Sequence, residues 1–262
     1  MPETTKIHRL RVNKNVELVA LGLYFRDKGL LAVADLHIGY EEALAEQGIH
    51  VPVSQYPKMK NLLRYIIETV DPEKIVIVGD VKHEFGSALR QEWVETLDLL
   101  DFLKENTKEV IVVRGNHDNF LIPILKRKEV PLYDPSYAYD NILFLHGHKP
   151  VNVDIYRGNI ETIVMGHEHP AVALRDDLGV KVKFKCLLKG VFEEKNLFVL
   201  PVFSPLLTGT EVNVVEKEQL LSPLLKTVDL ENFDVYITDL DAGIYFFGKI
   251  GFLRNLLSLT EY

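Results

Sequence analysis

Residues 75–80 read IVIVGD, four branched aliphatic residues followed at once by a glycine and an aspartate. An apolar run this short predicts a strand that is covered on both faces of its sheet. Four more runs share this character and are also followed by polar residues; they lie at 30–34, 110–113, 142–145 and 162–165. These five runs predict the central strands of the fold.

Amphipathic helices separate the first of these strands. Apolar residues recur in steps of three and four from Met59 to Val70, which predicts a helix that begins after Ser54 and ends before Asp71. A second helix is expected at about 87–104. Strand–helix–strand order implies crossover connections and a largely parallel sheet in the first half of the chain.

The second half of the chain is patterned differently. Residues 180–186, VKVKFKC, alternate between apolar residues and lysines, which predicts a half-exposed strand in a hairpin with 171–174. Short strands are also expected at 197–200, 235–238 and 244–247, and a long surface loop at 204–225. We therefore predict an α/β fold in which two packed sheets are flanked by helices, with residues 1–262 forming one domain.

Composition limits the classes of function. The 262 residues include 30 Lys and Arg and 38 Asp and Glu, a net charge of −8, which argues against a sequence-independent DNA coat protein. The single cysteine, Cys186, excludes internal disulfides and zinc sites built from several thiolates. No apolar stretch approaches the ~20 residues of a membrane span, and the N-terminus lacks the apolar core of a signal peptide. A cytoplasmic protein is expected.

Polar residues directly follow all five apolar runs, and seven of the nine histidines lie among them. The residues after the runs are DLH at 35–37, GDVKHE at 79–84, RGNHD at 114–118, HGH at 146–148 and GHEH at 166–169. Ligands of open α/β sheets bind outside the carboxyl ends of strands, so these loops are expected to converge. Imidazole and carboxylate groups without cysteine suit Mn, Fe, Zn or Mg. One such loop alone would usually be a turn, but five together predict a metal site.

These motifs, in this order, resemble those of the calcineurin-like metallophosphoesterases. That family folds as a two-sheet sandwich flanked by helices, in four αββα layers, and binds two divalent metal ions. Manganese is the first expectation for the metals here, with Fe, Zn, Ni and Mg as alternatives. D-L-H-I-G-Y at 35–40 and G-D-V-K-H-E at 79–84 are most similar to the small SbcD-related phosphoesterases, some of which accompany DNA ligases.

The resemblance implies roles for ten residues. One metal would bind Asp35, His37 and His169, and the other Asn116, His146 and His167, with Asp80 bridging both. His117 matches the residue that protonates the leaving oxygen, with Asp118 as its orienting partner. His83 would either contact the substrate phosphate or be a supporting or merely exposed histidine.

The function implied is hydrolysis of phosphodiester bonds by metal-activated water, in nucleic acid or nucleotide-like substrates. Single-stranded or nicked DNA is the substrate suggested by the resemblance, and a DNA-repair protein is the suggested partner. A phosphomonoesterase or small cyclic-nucleotide phosphodiesterase is the alternative within this class, which the acidic net charge favours. A scaffold that binds metal without turnover is the alternative from another class.

Overall fold

The computed structural model describes residues 8–51, 55–85, 90–150, 159–176 and 178–259. Two details of the helix predictions fall outside these residues. They are the helix cap at Ser54 and the first turn of the helix expected from residue 87.

The first sheet contains seven strands within the described residues. They are β1 (Arg9–Arg11), β2 (Val16–Val19), β3 (Gly22–Phe25), β4 (Leu30–Val33), β5 (Lys74–Val78), β6 (Glu109–Val113) and β7 (Leu132–Tyr133), and they pair in that order. Strands β4 to β7 are parallel, as predicted. Strands β1 to β4 are antiparallel, so short hairpins that the sequence analysis did not predict extend the sheet at its N-terminal edge.

In the part of the chain that the structure describes, the second sheet contains nine strands. They are β8 (Ser136–Tyr139), β9 (Ile142–Leu145), β10 (Thr162–Met165), β11 (Pro170–Arg175), β12 (Lys181–Phe192), β13 (Lys195–Val199), β14 (Thr210–Glu211), β15 (Asp234–Asp239) and β16 (Gly243–Lys249). Strand β10 pairs in parallel with β9 and β13, whereas β12 is antiparallel to its three neighbours. The first sheet is therefore the more parallel of the two, as expected.

Five α-helices are present in the described ranges. They are α1 (Tyr40–Glu46), α2 (Tyr56–Val70), α3 (Arg90–Asn106), α4 (Ile122–Arg127) and α5 (Ile250–Leu259). Apolar residues of α2, α3 and α4, among them Leu63, Leu99 and Ile124, pack on the outer face of the first sheet. Residues that include Ile250 and Leu253 cover the outer face of the second sheet. The predicted sandwich flanked by helices is confirmed.

A third apolar cluster lies between the two sheets. Phe25 of the first sheet makes edge-to-face contacts with Phe144 and Phe198 of the second, at centroid distances of 6.3 and 6.5 Å. Such aromatic contacts add to the free energy gained by burial alone. The ends of the sheets also join, because Ala34 forms a parallel bridge with Val202. This packing fixes the carboxyl ends of β4, β5, β6, β9 and β10 relative to one another.

Two predictions about the second half need correction. The residues Val180 and Val182 are exposed, at 56% and 38%, because this end of β12 pairs only with β11 in the described structure. Lys185, which the alternation places on a solvated face, is partly buried instead, and its Nζ donates to the carbonyls of Val202 and Ser204. Residues 204–225 are not a simple surface loop either, because Val212 and Leu220 lie in the core.

Candidate metal centre

The five predicted loops meet at one edge of the sandwich. Backbone hydrogen bonds tie the first loop to the second, from Asp35 N–H to the Gly79 carbonyl and from His37 N–H to the Asp80 carbonyl. The His167 N–H donates to Asp35 Oδ2 at 3.0 Å, which ties the loop after β10 to the same point. Loops that are far apart in sequence are thus held together by main-chain contacts.

Five of the candidate ligands have a left-handed backbone. Their φ angles are 58° at Asp35, 48° at His37, 49° at Asp80, 68° at His167 and 50° at His169. Non-glycine residues avoid this region, and such conformations concentrate at functional sites, where surrounding contacts hold them. Each of these side chains is therefore directed by a sharp turn as the chain leaves its strand.

Asp35, His37 and His169 form one group that could hold a cation. His37 Nε2 lies 3.3 Å from His169 Nε2, and His169 Nε2 lies 3.5 Å from Asp35 Oδ1. All three side chains offer a ligand atom to the same small space. This group is the set that the resemblance implies for the first metal.

Asp80, His146 and His167 form a second such group. His146 Nε2 lies 3.4 Å from Asp80 Oδ2 and 3.0 Å from Asp35 Oδ1, so the two groups are adjacent. Asp80 Oδ2 is also 3.8 Å from His37 Nε2 of the first group. This carboxylate therefore lies between the groups, where the resemblance places a bridging ligand.

Two buried oxygens test whether a metal fits here. Asp80 Oδ2 and Asn116 Oδ1 are both buried and have no hydrogen-bond partner among the described residues. A buried polar atom without a partner is costly, and such exceptions in a folded protein call for a ligand, a water or an ion. The two oxygens are members of the implied ligand set, so the donor atoms present fit divalent cations.

The protonation states also suit a metal site. Burial lowers the pKa of His37 to about 3, and burial with the neighbouring His146 lowers the pKa of His167 to about 4. Burial opposes ionisation of Asp80, but the His146 ring holds the pKa of that carboxyl at about 2. Neutral imidazole and ionised carboxylate are the forms that bind metals.

His146 differs from the other rings. Burial disfavours its charged form, but the Asp80 and Asp35 carboxylates raise the pKa of His146 above its usual value. A cation bound between these carboxylates would displace that proton, which makes metal affinity depend on pH. His148 supports His146 from behind, with its Nδ1 3.0 Å from His146 Nδ1. This contact was not predicted from the sequence.

His117 lies at the edge of both groups. Its Nε2 is 3.8 Å from Asp80 Oδ2, and its backbone N–H donates to Asp80 Oδ1 at 2.9 Å. Its Nδ1 is hydrogen-bonded to the backbone carbonyl of His83. The ring is therefore oriented by main chain and not by Asp118, which corrects the expected pairing.

Asp118 does not orient His117 but joins two of the loops. Its buried carboxylate accepts the N–H of Val81 at 2.9 Å and the N–H of Gly115 at 2.8 Å. These two bonds connect the loop after β5 to the loop after β6. Asp118 thus holds the loops that carry Asp80 and His117 at a fixed separation.

His83 is placed beside a ligand. Its Nδ1 is 3.4 Å from His37 Nδ1, on the side of the His37 ring away from His169. This contact favours the support role of the two considered from the sequence. The His83 backbone is fixed by Glu92, a fully buried residue of α3 whose Oε1 accepts the N–H groups of His83 and Glu84 at 3.0 and 2.6 Å.

Glu92 and Glu168 are buried residues beside the candidate site to which the sequence reasoning assigned no role. Glu168 is buried between His167 and His169, and its carboxylate accepts the N–H groups of Leu221 and Ser222. Ser222 Oγ in turn donates to the Gly147 carbonyl at 2.9 Å. A stretch of 204–225 therefore braces two of the ligand loops. Neither glutamate is marked in the sequence, since their bonds to backbone N–H groups depend on how the chain folds.

A two-sheet sandwich that gathers aspartates, histidines and an asparagine at the carboxyl ends of five strands is the architecture of a metallophosphoesterase. Residues 29–154 match the model of the calcineurin-like phosphoesterase family. The matched stretch covers β4 to β9 and includes four of the five loops. The expected family is thereby confirmed.

The fold of one solved structure resembles that of this chain over most of its length. The structure is similar to nuclease MPE from Pseudomonas putida, with a TM-score of 0.62 and 19% sequence identity, over 89% of this chain and 97% of that one. YfcE, a phosphoesterase from E. coli, matches with a TM-score of 0.38 and 17% identity, over 80% of this chain and 87% of that one. No curated protein matches the chain significantly. Within the described ranges, no helix combines the length and apolar character needed to cross a membrane.

Proposed function

We propose that the protein is a phosphodiesterase that holds two divalent cations, with manganese first among the candidates, and hydrolyses nucleic acid or nucleotide-like diesters. The observation that carries this proposal is the position of Asp80 between two groups of ligands, with His117 beside both. The similar fold of the Pseudomonas putida nuclease MPE is compatible with that substrate class.

Each cation would have its own ligands and share one. The first cation would be held by Asp35, His37 and His169. The second cation would be held by Asn116, His146 and His167, and Asp80 would be a ligand of both cations. When bound, such a pair neutralises charge on the phosphate and makes water a nucleophile near neutral pH. The set contains only two carboxylates, Asp35 and Asp80, which offset half the charge of two dications. A positive balance therefore remains for an anionic substrate.

His117 would serve as the general acid. Its Nδ1 faces the His83 carbonyl, which can only accept, so this nitrogen carries a hydrogen. The protonated ring then presents Nε2–H toward the centre, where it can transfer a proton to the leaving oxygen. Such proton transfer contributes typically about 10²- to 10⁴-fold to the rate.

Two variants test these assignments. Asp80→Asn removes the shared charge and is expected to lose bound manganese and activity together. His117→Asn is expected to keep the metal and to lose about 10²- to 10⁴-fold in kcat. Metal content and hydrolysis of bis(p-nitrophenyl) phosphate measure both effects. Full activity of His117→Asn would refute the proposal that His117 is the general acid.

The substrate class is tested on the same preparation. Bis(p-nitrophenyl) phosphate, p-nitrophenyl phosphate and single-stranded DNA are compared with manganese present. Turnover of the diester and of DNA is expected. Activity confined to the monoester would support the phosphomonoesterase alternative, and a fully metallated protein that hydrolyses none of the three would support the scaffold alternative.

A further inference from the structure

Four aromatic rings form a row beside the metal centre. The Tyr40 ring lies on His83 at a centroid distance of 4.1 Å, with 35° between the planes. His83 lies 5.4 Å from His117 at 31°, and His117 lies 3.7 Å from Phe85 at 30°. Each ring plane is thus tilted by 30° to 35° from that of its neighbour. Phe85 is the end of the row that covers the general acid.

Phe85 stays accessible although it is a large apolar residue. It is 53% exposed, whereas the His117 side chain beneath it is only 13% exposed. One part of the Phe85 surface packs on the imidazole, and a larger part remains in contact with solvent. An aromatic surface next to a proton donor is therefore available to a ligand at the site.

The position of Phe85 is set by contacts of the preceding residues. The Glu84 N–H is bonded to the buried Glu92 carboxylate, and the His83 carbonyl is bonded to the His117 ring. The chain is thus fixed up to the residue before Phe85. A binding surface that is ordered in advance loses less entropy when a ligand binds.

We infer that Phe85 stacks on the nucleobase of the leaving nucleoside. The inference rests on the proposed function, because a general acid at His117 requires the leaving oxygen to lie next to its ring and hence next to Phe85. A nucleobase attached to that leaving group is flat and has a π face, which an exposed aromatic side chain can cover. A base that stacks on protein must be free of its own stack, so the substrate class is single-stranded nucleic acid.

A double-mutant cycle between enzyme and substrate tests this inference. The substrates are a thymidine dinucleotide and two analogues of it. In each analogue one of the two nucleosides, on the leaving side or on the other side, is replaced by an abasic tetrahydrofuran unit. The enzymes are the wild type, Phe85→Leu, which keeps apolar volume but removes the ring, and Phe85→Tyr, which keeps the ring. Phe252→Leu is the control, since Phe252 is 62% exposed and lies on α5.

Removal of the base on the leaving side is expected to lower kcat/KM of the wild type about tenfold. On the full dinucleotide, Phe85→Leu is expected to lower kcat/KM by about the same factor relative to the wild type. On the analogue that lacks the leaving-side base, Phe85→Leu is expected to have nearly the same kcat/KM as the wild type. Phe85→Tyr keeps a ring that can stack and is expected to keep the coupling to the base on the leaving side, and Phe252→Leu is expected to behave as the wild type. Coupling confined to the leaving side would support the inference.

Two results would overturn it. Equal losses for Phe85→Leu on all three substrates would mean that Phe85 acts only through His117. Equal kcat/KM of the wild type with and without the base would mean that no base is bound there. In either case hydrolysis of bis(p-nitrophenyl) phosphate would leave the proposed function intact, whereas a wild type inactive on every diester would refute the proposed function itself.

Discussion

The Nδ1 atom of His117 is hydrogen-bonded to the backbone carbonyl of His83. A carbonyl accepts but cannot donate, so this contact fixes which nitrogen of the ring carries a hydrogen and which faces the metal centre. The position of a main-chain oxygen is set by the position of its peptide group. The groups that hold the peptide at His83 therefore govern the orientation of the proposed acid.

Glu92 is the first of these groups, and its removal is expected to lower kcat. Its Oε1 atom accepts hydrogen bonds from the N–H groups of both His83 and Glu84. Glu92→Ala frees that peptide and is expected to lower kcat by up to about 100-fold, because small displacements of a reacting group have effects of this size. Metal content should not change. Steady-state kinetics and metal analysis measure the two effects.

Glu92→Gln provides the rescue that separates positioning from charge. A glutamine carbonyl can accept both N–H groups in place of Oε1, so most of the activity should return. Glu105→Ala, an exposed position of the same helix, is the control for α3. If Glu92→Gln were as inactive as Glu92→Ala, the carboxylate charge and not the hydrogen-bond geometry would be the cause.

Gly79 is expected to be indispensable for metal binding because of the space around it. A Cβ atom there would lie 2.2 Å from Cδ2 of His146, one of the proposed ligands. Gly79→Ala is therefore expected to displace the imidazole and to abolish bound metal. The measurement is metal content of the purified variant, with circular dichroism to show that it is folded.

Gly48 supplies a matched control for Gly79. Both glycines have a φ of +82°, but a Cβ atom at Gly48 would meet nothing within 4 Å. Gly48→Ala carries the same backbone cost, about 1 kcal/mol for a left-handed residue, without the clash. Loss of metal in both variants would show that backbone strain, and not displacement of His146, is responsible.

The strand ends and the convergence of the loops that carry the candidate ligands were predictable from the sequence for one physical reason. Strands buried on both faces leave continuous apolar runs such as IVIV, and parallel strands bring the residues after those runs to one edge. Asp80 and His146 could thus be grouped without knowledge of any contact. The division of such residues between two metals was implied by the resemblance to the family.

The partners of those residues were not predictable in the same way. Glu92 lies in a helix whose polar residues mostly face solvent, and nothing local shows that it is buried against His83. Asp118 was assigned to His117 because the two are adjacent, but its carboxylate turns toward Val81 and Gly115. Contacts made by side chains to distant backbone depend on how helices and loops pack, which a single sequence does not encode locally.

Manganese is expected to stabilise the folded protein through the proposed centre. A ligand that binds only the native state at 100 times its Kd adds about 2.7 kcal/mol to the free energy of unfolding. Asp80→Asn should lose most of this gain, although its Oδ1 can still accept the His117 N–H. His50→Ala, at an exposed histidine outside the five loops, should keep it. Thermal unfolding with manganese and with EDTA measures the difference, and an unchanged gain in Asp80→Asn would contradict the shared role of that residue.

Lys185 is expected to make stability rise with pH above about pH 8. Burial lowers the pKa of Lys185 from 10.5 to about 8, and its Nζ donates to the backbone carbonyls of Val202 and Ser204. Between these two pKa values the unfolded chain binds a proton that the folded chain does not, so the free energy of unfolding increases with pH. Below about pH 8 both states are protonated, and the cost of the buried charge is present in full.

Comparison with Lys185→Met isolates this effect. From pH 7 to about 9.5 the stability of the wild type relative to the variant should increase by about 2 kcal/mol. The two carbonyls lose a donor in Lys185→Met, but that cost does not depend on pH and leaves the slope unchanged. Lys183→Met, on the same strand and paired with Glu211, should follow the wild type. Urea unfolding at several pH values gives the curves, and parallel curves for the wild type and Lys185→Met would show that Lys185 keeps its ordinary pKa in the folded protein.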